Sequence, residues 1–166
     1  MGVVVAACIG RPGELWKQPV EGGALVERFG FAGDRHAGEM RPTHNDPQVI
    51  KPNERQVTLM AREVELEIER ELGVPLRPGS FGENICVEGL GDLSAVQPGA
   101  LVRTDRGVVL RITAQNDPCD NLMEHHRLLV KKAYGRRGLL ATVMSGAGLL
   151  VAPGDRIEIL PAAEGS

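Results

Sequence analysis

Short apolar runs, each cut off by glycine or proline, set the rhythm of the chain. Residues 3–8, 24–29, 56–59, 84–88, 140–144 and 156–160 are brief, rich in branched side chains and bounded by turn formers, which predicts strands. Pro98-Gly99 and Pro153-Gly154 each lead straight into such a run, because proline presets a turn and glycine permits the positive φ that follows. Residues 100–113 read as a hairpin around Asp105-Arg106-Gly107. Two segments switch period. In LMAREVELEIERELG, Met60, Val64, Ile68 and Leu72 recur at every fourth position and Gly73 stands at the stop, predicting an amphipathic helix. A second helix is expected from Asn121 to Ala133, with Leu122, Met123 and Leu129 as its apolar side and Gly135 as its end. Residues 38–55 are polar and proline-broken, so a long loop is expected there. The pattern predicts a mainly β protein: an antiparallel, closed or nearly closed β-barrel with two or more short helices.

Composition narrows the function. A chain of 166 residues, 42% hydrophobic, is long enough for a core of its own and is read as a single domain, 1–166. A formal net charge of −3 and five aromatic residues (three Phe, one Trp, one Tyr) argue against a nucleic-acid binder, which needs clustered cations and stacking platforms. A small-molecule partner is expected instead. The first apolar run has no basic leader and no run approaches the roughly 20 residues that span a bilayer, so a non-membrane, cytoplasmic protein is expected. Three cysteines without C-x-x-C spacing read as reduced thiols.

Among them, Cys119 stands out. It follows Pro118 and precedes the second predicted helix, where unpaired N–H groups favour a thiolate, whereas Cys8 and Cys86 fall inside strands. Two readings stand side by side for it: a reactive thiol, or a buried turn residue flanked by Asp117 and Asp120. FAGDRHAG, residues 31–38, brackets Asp34, Arg35 and His36 with glycines, which suits either an anion site or a plain turn with a solvated ion pair. PGSFGENICVEG, residues 78–89, does the same for Glu83 and Asn84, able to orient a ligand or to close the turn. His125 and His126, neighbours on a helix, point about 100° apart and do not form a metal pair. His44 reads as solvated and apart from the others. Lys131-Lys132 and Arg136-Arg137 make a basic patch that suits a helix end or a phosphate.

The motif order K-x-P-V (Lys17 to Val20), G-x-x-G-D-R-H-A-G (Gly30 to Gly38), R-Q-V-T-L-M (Arg55 to Met60), P-G-S-F-G-E-N-I-x-V-E-G (Pro78 to Gly89), D-P-C-x-x-L (Asp117 to Leu122) and G-x-x-V-x-P-G-D (Gly148 to Asp155) resembles the MOSC domain, named for the C-terminal domain of molybdenum cofactor sulfurases. The likeness covers nearly the whole chain. It implies a MOSC-type barrel whose cysteine, matched here by Cys119, either ligates the molybdenum of a bound molybdopterin or carries a persulfide. The first alternative implies a reductase of N-hydroxylated compounds, the second a sulfur carrier or cofactor-sulfuration module. Asp34, Arg35, His36, Arg55, Glu83 and Asn84 become candidates for holding the cofactor, the cations among them for its phosphate. No electron donor or desulfurase segment is recognised, so the expected partner is a separate flavin or iron–sulfur reductase, or a cysteine desulfurase. One departure from the family is LLATVM after Gly138, where relatives often carry an aromatic pair.

Overall fold

The computed structural model describes residues 1–14 and 16–163. In chain order the elements are β1 (Gly2–Ile9), β2 (Gln18–Val20), β3 (Gly23–Val26), β4 (Gly30–Phe31), β5 (Met40–Pro42), β6 (Ile50–Pro52) and β7 (Val57–Ala61). Then come α1 (Arg62–Leu72), β8 (Ile85–Glu88), β9 (Leu101–Thr104), β10 (Val109–Gln115), α2 (Leu129–Ala133), β11 (Leu139–Ser145), β12 (Leu150–Val151) and β13 (Arg156–Leu160). Seven strands close a barrel in the order β13-β9-β10-β11-β7-β8-β1, sealed where Gly2 of β1 pairs with Ile157 of β13. The far end of β1 pairs with β2 instead, Cys8 opposite Pro19.

The expected barrel is there, but it is mixed and not purely antiparallel. β7 and β8 run parallel, Leu59 beside Ile85 and Ala61 beside Val87. The cause lies in α1: a helix between neighbouring strands carries the chain back to the end where it started, which a hairpin cannot do. All five residues of β7 are buried. Val57, Leu59 and Ala61 face the barrel interior with Val4, Ile85, Val102, Leu110, Ile112 and Leu139. Met60 points outward, into a second cluster with Ile68, Phe81, Leu122 and Leu129. Fully burying a side chain of that size contributes roughly 1.5–3 kcal/mol.

Met60 therefore lies within a strand, where the sequence pattern opened the helix; its fourfold spacing survives because the strand's outer face meets the same cluster as Ile68. Gly73 ends α1 with φ 66, as its place in the pattern predicts. The second predicted helix is broken in two. A 3₁₀ turn, Asp120–Glu124, precedes the five residues of α2, and between them the Leu122 carbonyl accepts from the N–H groups of both His125 and His126. The stretch 38–55 is not a structureless loop. β5 and β6 pair, with Met40 opposite Pro52 and Pro42 opposite Ile50, and prolines are tolerated because this two-stranded ribbon has free edges.

Candidate functional site

Cys119 is exposed, while Cys8 and Cys86 are buried. It sits immediately before the 3₁₀ turn with extended backbone, φ −129, and its side chain does not cap that turn. So short a turn has little dipole to offer; the charge beside the sulfur comes from Arg137. One guanidinium nitrogen, Nη1, stands 3.5 Å from Cys119 Sγ and donates to the Asp117 carbonyl at 2.8 Å. Nε and Nη2 both donate to the Phe81 carbonyl, at 3.2 and 2.8 Å. Arg137 is buried, although cations rarely are, because each arm of its fork is satisfied. Gly138 makes this placement possible: its φ is 97, and a Cβ there would lie 1.9 Å from the Leu59 carbonyl oxygen. The chain crosses β7 at backbone contact and turns Arg137 inward, while its neighbour Arg136 turns outward to Glu67 and Glu71. Lys132 also pairs with Glu71, so two of the four cations of the expected basic patch are paired with acids of α1.

Gly82 brings the second guanidinium in. The position a Cβ would occupy on Gly82 lies 3.5 Å from Arg137 Nη2 and 3.8 Å from Arg35 Nη2. Two cations thus converge over a bare α-carbon, leaving a cradle that any side chain at 82 would fill. Arg35 continues into a cavity of 440 Å³, lined also by His36, Arg41, His44, Asn53 and Arg55 and rimmed by the β5–β6 ribbon. Among the described residues, no carboxylate lines it. Asn53 staples its walls, donating to the His36 and Gly38 carbonyls and accepting from the Arg55 N–H. Arg55 lies within electrostatic reach of the sulfur: burial first, then Arg41 and Arg137, disfavour its charge, and Cys119 opposes them. His36 is held neutral, pushed down to about 3 by burial and then by Lys17 and Arg55. Two buried nitrogens in this wall, His36 Nδ1 and Arg55 Nε, have no hydrogen-bond partner among the described residues. Buried polar atoms are normally satisfied, so both point to a ligand: Arg55 Nε–H calls for an acceptor atom, and the neutral His36 ring for an acceptor or a donor according to its tautomer.

Of the residues the sequence singled out, Arg35, His36 and Arg55 line this cavity, and His44, read as solitary, joins them. Cys119 is not in the lining; it connects to the cavity through Arg137, which touches its sulfur and meets Arg35 over Gly82. Asp34 does not project from its turn. It points inward to Lys17 Nζ at 3.0 Å and accepts from the N–H groups of Gly10 and His36, fixing the backbone that carries Arg35. Burial alone would raise its carboxyl, yet Lys17 and those two N–H groups hold it below the usual carboxylate range. Burial also brings Lys17 down to about 8. Glu83 and Asn84 are interior as well. Glu83 accepts from Gly79 and Phe81 N–H groups at 2.5 and 3.1 Å, and Asn84 ties the Cys8 carbonyl to the Thr58 N–H. They shape the loop and do not reach the cavity, because their polar atoms are spent on backbone. His125 stacks on Trp16 with ring centroids 3.8 Å apart, while His126 accepts from the Leu128 N–H. Sequence reasoning missed Arg41 and the contact of Arg137 with sulfur; the one legible hint was an arginine directly before a glycine at a strand start. A larger cavity, 680 Å³, opens beside Met1, Glu63 and Arg156, at the opposite end of β1 from the Gly10–Arg35 contact, and holds none of these groups.

The arrangement offers one exposed thiol beside Arg137, which meets Arg35 of an arginine-lined cavity over Gly82, a combination suited to an anionic ligand with a thiol-seeking centre. YuaD of Bacillus subtilis, whose name proposes metal-sulfur cluster biosynthesis, is 28% identical over 148 residues, covering 78% of this chain and 76% of YuaD. The YuaD crystal structure superposes with a TM-score of 0.84 at 23% identity, covering 98% of both chains. YiiM from Geobacillus stearothermophilus superposes at 0.73 with 20% identity, over 99% of this chain and 78% of that one. YiiM from Escherichia coli superposes at 0.63 with 22% identity, over 98% and 71%. These structures share the fold. The MOSC domain family model matches residues 33–158, well over half of the sequence and most of the barrel with its charged cavity, and the chain belongs to that family.

Proposed function

We propose that this protein binds the molybdenum cofactor and reduces N-hydroxylated compounds, with Cys119 as the protein ligand to molybdenum. The observation that carries the reading is an exposed thiol linked through Arg137 and Arg35 to a cavity that, among the described residues, has no carboxylate in its lining and two unpartnered nitrogens in its wall. Arg35, Arg41 and Arg55 would hold the pterin's phosphate, with His36 Nδ1 and Arg55 Nε directed to the cofactor's polar atoms. Arg137, 3.5 Å from the sulfur, would stand as the counter-charge beside a metal-bound thiolate. When bound, the molybdenum supplies the two-electron chemistry that removes oxygen from nitrogen. Electrons would come from a separate flavin or iron–sulfur partner. The test is metal and pterin content in protein made by a host that synthesises the cofactor. Wild type is expected to carry both, and Cys119→Ser to lose the molybdenum; metal retained by that variant refutes the ligand assignment.

The exposure of Cys119 and the name given to YuaD favour a second reading, a sulfur carrier loaded by a cysteine desulfurase. Here a persulfide forms on Cys119, seen as a gain of roughly 32 Da after incubation with a desulfurase and cysteine. A gain spread equally over Cys8 and Cys86 would count against it.

A further inference from the structure

Glu83 lies outside the cavity, yet a chain of hydrogen bonds ends from it at the reactive sulfur. Its two carboxyl oxygens accept from the N–H groups of Gly79 and Phe81, clamping the turn 79–83 from within. That turn offers the Phe81 carbonyl to Arg137 Nε and Nη2 together, and the same guanidinium then points Nη1 at Cys119 Sγ. The clamp has a buried backing: Glu65, Glu83 and Cys86 bring their side-chain ligand atoms within 4.8 Å of one another, and the Glu65 Oε2 that accepts from Cys86 also pairs with Arg62 at 2.7 Å. We infer that Glu83 is a positioning residue for the Cys119 thiol, acting through the Phe81 carbonyl to hold Arg137 against the sulfur. Four backbone or side-chain links, all between buried groups except the last, leave Arg137 no second orientation that keeps its fork satisfied.

Phe81 also packs its ring into the outer cluster, and that packing is the rival explanation for the loop's position. The two separate by experiment. The inference concerns the thiol alone, so it stands apart from which group the thiol carries, and metal analysis reads that question independently. Cys119 is alkylated with anionic iodoacetate and with neutral iodoacetamide, and site-resolved rates are measured by mass spectrometry. Both reagents need thiolate, so the ratio of their rates cancels its fraction and reads the positive field at the sulfur. Arg137→Met should lower the ratio on the order of fivefold, the effect of one unit charge about 4 Å away in water. Glu83→Ala should lower it equally, with no further fall in the double variant, and with Cys8 and Cys86 still unreactive as proof of an intact core. Glu83→Gln, which replaces one accepting oxygen by a donor, should lower it about twofold. A wild-type ratio in Glu83→Ala with Cys8 and Cys86 protected overturns the inference. Where Glu83→Ala exposes those thiols, an unchanged ratio in Glu83→Gln overturns it instead.

Discussion

On either side of the turn 79–83 stands a thiol in opposite company. Cys119 lies outside, open to solvent, with the Arg137 guanidinium 3.5 Å away. Cys86 lies inside, fully buried, its sulfur 3.5 Å from a Glu65 carboxylate oxygen with Glu83 close by. Burial, then those two acids, push the Cys86 thiol far above its ordinary range. Cys8 is raised in the same way, by burial and then Glu83 and Glu65. Residue type is constant across the comparison; what differs is access to water and the sign of the neighbouring charge, and these set how open each sulfur is to a reagent. The largest expected effect follows directly. In the native protein, iodoacetamide should modify Cys119 on the order of a thousandfold faster than Cys86 or Cys8, which react only on opening of the core. In strong urea the three rates should converge. Comparable native rates would erase the distinction.

Arg137 is where that comparison can be broken. Replacing it by methionine keeps some packing but leaves the Phe81 and Asp117 carbonyls without their donor, so a loss of about 2–4 kcal/mol is expected by urea unfolding. Cys119 should keep its exposure and lose its charged neighbour.

How much of this was readable beforehand varies with the range of the interaction involved. Strands after Pro98-Gly99 and Pro153-Gly154, and the end of α1 at Gly73, depend on neighbours a few residues away, and the pattern located them. That Cys119 stands on a turn was legible because its proline and the turn after it are local too, whereas its exposure was not, the residues having left a buried turn equally open. Asp34 was not, since its inward aim depends on Lys17 from another segment. Glu65 looks like one of the solvent-facing acids of α1, yet it is fully buried, with Arg62 and Cys86 both bonded to its Oε2. The parallel pairing of β7 with β8 was hidden for a similar reason: a strand's own residues do not state the direction of its neighbour.

pH sharpens the contrast between the two regions, because their key groups shift in opposite directions. Burial, then Glu65, raises the Glu83 carboxyl well above 4.5, so the native state keeps a proton that the unfolded chain releases. That contribution to stability is complete below about pH 4.5 and is lost as pH rises through the raised value. His36, in the cavity wall, is pushed from 6.5 down to about 3, so the unfolded chain binds the extra proton and stability is lost as pH falls through that window. Urea midpoints measured from pH 3 to 9 should therefore lose their alkaline decline in Glu83→Gln and part of their acid decline in His36→Gln. Slopes left unchanged by both substitutions would mean that neither group is held as described.

The smallest expected effect belongs to the neighbour of Arg137. Arg136 reaches Glu71 at 3.0 Å and Glu67 at 3.4 Å across the surface between α2 and α1, and it donates through Nε to the Lys132 carbonyl. Exposed pairs of this kind are screened by salt and cost side-chain entropy to hold, so each contributes about 0–1 kcal/mol. Lys132 remains to pair with Glu71 when Arg136 is removed, which softens the loss further. Arg136→Met should lower stability by less than about 1 kcal/mol, with the difference shrinking in high salt. It should also leave the iodoacetate-to-iodoacetamide ratio at Cys119 at the wild-type value. Two adjacent arginines would then differ severalfold in energetic weight and wholly in their effect on the thiol. A fall in that ratio for Arg136→Met would show that the field at the sulfur is the diffuse charge of the patch and not the one guanidinium that Gly138 turns inward.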